Sequence, residues 1–255
     1  MSNISYFAMW TLILMKLKIF IKEYPYSIIA PLFSSIIFIT ILNTISEFYN
    51  LKTNNSDFMS FVIPGIIMMI VIQETFSNIS ETMIHMKQEG TFKDILMSPI
   101  SRVEIAISYL IAILIIGIIV AIINLIIINL FVEIQLFNFS RFIYYVSLAS
   151  IFFGSIGAIT GFLSYTWDAQ QSIFNFFIVP ISLLSGTFFS VDVIHESWKN
   201  IFLLNPFYHL ISNARKSFEN EQIYDFQLDV LIIILVFTMV CISLYIFKKG
   251  YRVID

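Results

Sequence analysis

The chain has 255 residues, of which 58% are hydrophobic and 12% are charged, with a mean hydropathy of +0.88. A soluble domain carries about 25% charged residues, so this composition excludes a water-soluble fold, which needs more polar surface. The net charge of −3, without a basic run, gives no support for a nucleic-acid partner, and we expect none. The single cysteine, Cys241, cannot form an internal disulfide.

The N-terminal segment predicts an amphipathic helix that lies in the plane of the lipid headgroups. Its apolar part, Ile4–Met15, is too short to cross a bilayer. Lys16, Lys18 and Lys22 then alternate with apolar residues, and Trp10 is an interfacial anchor. We expect no cleavable signal peptide, because the first charges follow the apolar stretch instead of preceding it. The alternative is an extension of the first span.

Six later segments are apolar over a length that crosses about 30 Å of hydrocarbon as a helix. In lipid a helix satisfies all of its backbone polar groups, and the short alternating segments of a barrel do not occur here. The predicted fold is therefore an all-α integral membrane protein, with a single domain over residues 1–255. It divides into an interfacial helix (1–25), six spans (26–247) and a tail (248–255). The spans are Tyr26–Ile45, Phe58–Phe76, Ile105–Phe131, Phe142–Tyr165, Ser172–Val191 and Leu228–Phe247.

The distribution of positive charge predicts the orientation. With the N-terminus inside, nine of the 14 Lys and Arg residues fall in cytoplasmic segments and five fall in outer segments. Positive residues are retained on the cytoplasmic side of short loops. We therefore predict that both termini are cytoplasmic.

The link between the second and third spans predicts a short cytoplasmic helix. The second span continues as a polar helix with His85 and Glu89, and Gly90 is placed to end it, since glycine adopts the left-handed conformation without steric cost. Ser101 and Glu104 predict a capping box that begins the third span. An exposed helix between these two points can dock a soluble partner; the alternative is an ordinary amphipathic loop.

The segment between the fifth and sixth spans predicts two short amphipathic helices on the outer face. Asn205 and Pro206 have the types expected at an N-cap and a first helical residue, and the helix that they begin carries His209 and Arg215 through about residue 218. Because the fifth span is broken near Gly186, we predict a re-entrant arrangement. The alternative is two helices that rest on the outer leaflet.

Few polar residues lie within the predicted spans. Glu74 lies in the last turns of the second span, and an ionisable group inside a membrane is a candidate functional residue. The alternative location for Glu74 is the cytoplasmic headgroup region. Gly154, Gly157 and Gly161 recur at spacings of three and four, which predicts close helix packing.

Enzymatic chemistry is poorly supported. The sequence has no Gly-x-x-x-x-Gly-Lys-Ser/Thr phosphate loop, and Lys199 stands where a zinc-protease helix starting at His195 needs its second histidine. We expect no catalytic residue, no metal and no cofactor in this chain, so ATP would have to bind another polypeptide. A secondary transporter driven by an ion gradient, a non-transporting membrane assembly protein and a membrane-embedded enzyme remain as alternatives.

Two stretches of the chain resemble the permeases of type-2 ATP-binding-cassette (ABC) exporters. The first is Ile63-Pro64-Gly65-Ile66, followed by EGTFKDIL at 89–96 and SPISRVE at 98–104. The second is LSGTFFSVD at 184–192, followed by Trp198 and by LNPFYH at 204–209 through Arg215. The resemblance covers nearly the whole chain, including span number and loop order. It departs at residues 194–196, where many relatives place a proline.

The resemblance implies half of an export channel in a bacterial plasma (inner) membrane, formed by two copies or two related chains. Each would bind a separate nucleotide-binding ATPase subunit, which holds ATP and magnesium. The implied substrate is a glycan, a lipid-linked compound or an amphipathic, drug-like compound. The residues that it implies for coupling are Glu89, Gly90, Thr91, Phe92, Leu96 and Pro99. The interfacial helix contributes Trp10, Lys16, Lys18 and Lys22, and the outer gate comprises Gly186, Trp198, Asn205, Pro206, His209 and Arg215.

Overall fold

The computed structural model describes residues 6–49, 52–53, 56–97, 100–132, 134–189, 195, 199, 202–203, 205–219 and 226–249. The helices are α1 Tyr6–Lys22, α2 Ala30–Tyr49, α3 Phe58–Gln88, α4 Thr91–Met97, α5 Arg102–Asn129, α6 Phe139–Leu163, α7 Trp167–Ile173, α8 Val179–Leu183, α9 Pro206–Arg215 and α10 Phe226–Lys249. Two π-helical turns, Pro25–Ile29 and Phe174–Ile178, lead into α2 and α8. Strands β1 Lys52–Thr53 and β2 Ser56–Asp57 form a short antiparallel pair that pairs Lys52 with Asp57 and Thr53 with Ser56.

Five helical segments are long and apolar enough to cross a membrane, and they coincide with five of the six predicted spans. They are Pro25–Ser46, Phe58–Gln88, Arg102–Asn129, Phe139–Leu163 and Phe226–Lys249. The second of them continues well past its predicted apolar end at Phe76, as the polar continuation of that span predicts.

The remaining predicted span, the fifth (Ser172–Val191), has a different form in the structure. Helix runs through α7, the π-helical turn and α8 in stretches of 7, 5 and 5 residues, which amounts to about 26 Å. A turn then follows at residues 184–187, and Val191 lies outside the described residues. The helix is therefore shorter than predicted, and the six-span layout stays a prediction.

The α7–α8 segment lies antiparallel to α3 along most of that helix. Its first residue, Trp167, donates a hydrogen bond of 2.6 Å to Gln88 at the end of α3. Further along, Gln170 bonds to Ser80 and Ser182 accepts from Gln73, each at 3.0 Å. Beyond α8, Thr187 reaches Gly65, where an added Cβ would be 2.9 Å from the Thr187 carbonyl oxygen.

The core lies between α3 and α6, where glycines bring the two backbones together. A Cβ added at Gly157 would lie 2.5 Å from the carbonyl oxygen of Phe76, and one at Gly161 would lie 2.6 Å from that of Ser80. Small residues permit this close approach in membrane helices, where packing provides the driving force. The predicted role of the glycine stripe in helix packing is confirmed.

Candidate functional site

Helix α3 ends at a glycine, and α4 follows at once. Gly90 has φ = 76°, and an added Cβ would meet no atom within 4 Å. The conformation and not the available space therefore requires glycine here. The predicted helix end at Gly90 is confirmed, and α4 is a short helix and not a loop.

Helix α4 is held by one face and exposed on the other. Phe92 is 3% exposed and packs edge-on against Phe162 of α6, with ring centroids 5.8 Å apart. Met97 is 86% exposed, and Asp94 is exposed as well. The Phe92 ring is therefore covered by the protein itself, and its predicted role in coupling stays a prediction.

Of the other residues predicted for coupling, Thr91 donates from Oγ1 to the carbonyl of Met86 at 3.4 Å. Glu89 is exposed and pairs with His85, Oε2 to Nδ1, at 3.1 Å. Leu96 lies within α4, and Pro99 lies outside the described residues. We call the exposed group His85, Glu89, Asp94 and Met97 the docking platform.

Lys87, which the sequence analysis did not single out, links the end of α3 beside the docking platform to the end of α6. The ammonium group of Lys87 donates to the carbonyl oxygens of Gly161 at 2.9 Å and Ser164 at 3.0 Å, and also to that of Phe162. These carbonyls end α6, where a cation is favoured by the helix dipole. No local pattern distinguishes this lysine from a solvated one, so sequence reasoning missed it.

The beginning of α5 and the end of α10 complete this side of the molecule. Ser101 Oγ accepts from the Glu104 amide at 3.2 Å, and Glu104 Oε2 accepts from the Ser101 amide at 2.8 Å, which confirms the predicted capping box. Arg102 donates to the Lys248 carbonyl oxygen at 3.4 Å. The ends of α3, α6 and α10 and the start of α5 therefore lie on one side, which we call the α4 side.

The N-terminal helix α1 packs against α5, and its residues Leu12, Lys16 and Phe20 are buried. Lys16 is 3% exposed and donates to the Asn78 carbonyl at 3.4 Å and to Thr82 Oγ1, both on α3. The Lys16 side chain is therefore buried against α3, and the assignment of α1 as an interfacial helix stays a prediction.

Burial lowers the pKa of Lys16 to about 8, although Glu23 and Glu81 oppose that shift. The remaining predicted interfacial residues, Trp10, Lys18 and Lys22, are exposed. Their position in the headgroup region stays a prediction.

At the other end of α3, an arginine joins three elements. Arg215 Nε donates to the Phe61 carbonyl at 2.9 Å, and its Nη2 donates to Gly186 at 2.8 Å and to Thr187 at 3.4 Å. Its guanidinium also stacks on the Phe61 ring, 3.6 Å from the centroid. Burial lowers the pKa of Arg215 to about 10, so it stays charged at neutral pH.

The other predicted gate residues lie around the same turn. Gly186 adopts the left-handed conformation, with φ = 72°. Asn205 donates a hydrogen bond of 3.0 Å from Nδ2 to Ser185 Oγ. Asn205 also caps α9 and Pro206 is its first residue, as predicted, although α9 ends at Arg215, earlier than expected. His209 Nε2 is 2.6 Å from the Leu203 carbonyl oxygen and does not join the cluster. Trp198 lies outside the described residues.

A cavity of about 400 Å³ opens between α2, α3 and α8. Glu74 and Gln73 line it from α3, together with apolar side chains that include Phe38, Ile70 and Leu183. Glu74 precedes Lys87 by 13 positions on α3, which corresponds to about 20 Å of helix. The carboxyl group is therefore deep inside the bundle and not level with the lysine at the helix end.

The sequence profile of the ABC-2 type transporter family matches residues 8–218. The chain belongs to the ABC-2 type transporter family. The match runs from the first turn of α1 to just beyond α9 and does not include α10.

Curated relatives of this ABC-2 chain include the inner membrane transport permease YadH of Escherichia coli strain K12 and the protein of the same name from Shigella flexneri. Each is 26% identical over 198 residues, which covers 76% of this chain and 77% of the relative. The chain is thus a multi-pass membrane subunit of a transporter, and ABC-2 permeases generally work with an ATPase subunit.

Proposed function

We propose that this chain is the permease subunit of an ATP-driven exporter in a bacterial inner membrane, and that its ATPase subunit binds the docking platform. The observation that carries the proposal is the position of α4, held inward by Phe92 and exposed at Asp94 and Met97. ATP and magnesium belong to the partner subunit. No metal, cofactor or catalytic residue is assigned to this chain.

The contacts of α4 support a route for force. Phe92 transmits a displacement of α4 to Phe162, which also packs against Phe247 of α10 with centroids 4.7 Å apart. Lys87 joins the same end of α6 to α3. A movement of the ATPase subunit would therefore shift α3, α6 and α10 together, as a two-state transition needs.

The same contacts support the proposed topology. Lys16 of α1 reaches the second half of α3, and Arg102 reaches the last turn of α10, so these contacts bring α1 and the end of α10 toward the α4 side. The α7–α8 segment follows α3 from Gln88 to Gln73, and the turn after it reaches Gly65, which supports a sixth crossing. With positive residues inside, the α4 side is cytoplasmic, and α1 is the interfacial helix.

On the outer side, we assign the gate to the turn that Arg215 holds. The turn after α8 and helix α9 form the re-entrant cap, in which the carbonyls of Gly186 and Thr187 are satisfied by a buried guanidinium. This arrangement meets the requirement that irregular backbone at membrane depth be covered by protein. Release of these bonds would open the exit.

A second permease copy or a related chain would complete the channel. Helices α2 and α10 leave large apolar side chains exposed, among them Phe33, Phe48, Leu231 and Phe237. Such faces meet lipid or another membrane subunit.

The proposal is tested by purifying the chain in mild detergent with the ATPase subunit expressed beside it. Met97→Asp places a charge on the platform and should reduce the co-purified ATPase at least tenfold, whereas Met97→Leu keeps an apolar side chain and should retain it. Equal amounts of ATPase with both variants would contradict the assignment of α4.

One observation favours a second candidate, a transporter driven by an ion gradient. Glu74 is a carboxyl group inside the bundle, and such groups carry protons or cations in secondary transporters. In proteoliposomes, transport that follows a pH or sodium gradient and ignores ATP would select this candidate over the exporter.

A further inference from the structure

The accessible face of the second half of α3 is polar throughout. From position 73 onward, each residue of α3 that is not buried is polar, and the buried residues between them are mostly apolar. These accessible residues recur every three or four positions and so share one side of the helix. They are Gln73, Glu74, Ser77, Asn78, Glu81, Thr82, His85, Lys87 and Gln88, and Glu89 follows directly after the helix.

Such a face does not meet lipid tails. Polar and ionisable side chains within a membrane face the interior of the bundle or a water-filled space. The face leads from the docking platform to the cavity between α2, α3 and α8, where Glu74 and Gln73 are its last members. It therefore connects that cavity with the α4 side.

Within the cavity, the carboxyl group of Glu74 is the ionisable group available to a ligand. Gln73 already donates to Ser182 Oγ at 3.0 Å, and the hydroxyls of Ser34 and Ser35 donate to carbonyls of their own helix at 3.2 and 2.8 Å. Among the described residues, no Lys, Arg or His forms an ion pair with Glu74. A carboxylate in a dry site needs a positive partner.

We infer that this cavity binds the transported compound and that the compound is an amphipathic cation, an inference that rests on the proposed function. Its positive group lies against Glu74, and its apolar body lies against Phe38, Ile70 and Leu183. The Phe38 and Tyr26 rings in the lining also attract cations. The volume of about 400 Å³ suits a small molecule, and an anion of the same shape would be repelled by the carboxylate.

Two probes of the same shape and opposite charge test the inference: tetraphenylphosphonium and tetraphenylborate. Binding of each is measured to the full chain in lipid nanodiscs, without ATP or ATPase, after subtraction of protein-free nanodiscs. We expect saturable binding of the phosphonium ion and none of the borate ion. Glu74→Gln should weaken phosphonium binding at least tenfold, and Leu183→Trp should weaken it by filling the cavity. Asp168→Asn, which removes an exposed carboxylate on α7, should leave it unchanged.

Equal phosphonium binding by the unchanged chain and Glu74→Gln, or saturable borate binding, would overturn the inference. If Glu74→Gln does not fold, Leu183→Trp decides, since normal binding with a filled cavity overturns the site. Because the assay contains no ATPase, its failure leaves the exporter proposal intact. If Met97→Asp did not reduce ATPase binding, that proposal would be refuted while phosphonium binding stood.

Discussion

The ammonium group of Lys87, near the end of α3, donates a hydrogen bond of 2.9 Å to the carbonyl oxygen of Gly161, in the last turn of α6. This contact lies beside Phe162, which receives Phe92 from α4. The helix that is exposed to a partner and the closely packed pair of spans are thus joined at one place.

Replacement of Lys87 should weaken this junction. Lys87→Met keeps the aliphatic stem but leaves the last carbonyls of α6 without their charged donor, at a cost of about 2 kcal/mol. We expect a lower midpoint of thermal unfolding in detergent, with partial recovery in Lys87→Arg. An unfolding midpoint that does not differ between Lys87→Met and the unchanged chain would argue against a structural role for these bonds.

Gly90 should tolerate added volume but not a different backbone conformation. The Cβ of Gly90→Ala would meet no atom within 4 Å, so its cost of about 1 kcal/mol is that of the left-handed conformation. Gly90→Asn should cost less, since asparagine adopts this conformation more readily. Hydrogen exchange in residues 89–97 should rise in Gly90→Ala and rise less in Gly90→Asn; the reverse order would show that space governs the site.

Two glycines of α6 form a matched pair. Gly157→Ala would press on the Phe76 carbonyl, which is backbone, whereas Gly154→Ala would press on a methyl group of Ile113, each at 2.5 Å. Because a side chain shifts more easily than a helix, we expect about 1–3 kcal/mol of destabilisation at Gly157 and less at Gly154. Denaturation of the two variants in the same detergent measures the difference, and equal stabilities would contradict the close backbone contact between α3 and α6.

Arg215 should not be replaceable by lysine. Its planar guanidinium reaches carbonyls of Phe61 and Gly186 at the same time, whereas lysine is a point donor on a flexible stem. Arg215→Met leaves buried carbonyls unpaired at about 1–3 kcal/mol each, and Arg215→Lys should fall between. Unfolding midpoints in that order support the assignment, and an Arg215→Lys midpoint equal to that of the unchanged chain would refute it.

The docking of α1 should respond to alkaline pH through Lys16. Burial lowers its pKa to about 8 in the folded state, compared with about 10.4 in an unfolded chain. Between these values the unfolded chain binds more protons, so stability rises as pH rises from about 8 to 10. The rise in stability should be smaller in Lys16→Met than in the unchanged chain. It is measured for each protein as the difference between the midpoints of thermal unfolding at pH 7.5 and at pH 9.5. A rise of the same size in both proteins would assign the effect to other groups.

The local signals of the sequence predicted local structure well. Gly90, the Ser101–Glu104 capping box and the Asn205–Pro206 start of α9 each depend on a few neighbouring residues, and each is confirmed. The five long apolar helices follow from length and hydropathy alone.

Features that depend on tertiary packing could not be predicted in the same way. Lys16 and Phe92 have the same local patterns as exposed residues, and only the neighbouring α3 and α6 decide that they are buried. The carbonyls that Lys87 and Arg215 bind come from residues far away in the chain. The end of the fifth predicted span agrees with the break predicted near Gly186, whereas the π-helical turn inside that span is not detected by hydropathy.

The most direct test of the central claim is photo-crosslinking from the docking platform in intact membranes. A benzophenone amino acid is placed at Met97, which is 86% exposed on α4, or at Phe237, which is 66% exposed on α10. We predict a crosslink to a nucleotide-binding ATPase from Met97 and none from Phe237. No ATPase crosslink from Met97, or access to that position only from the outer face of the membrane, would contradict the account.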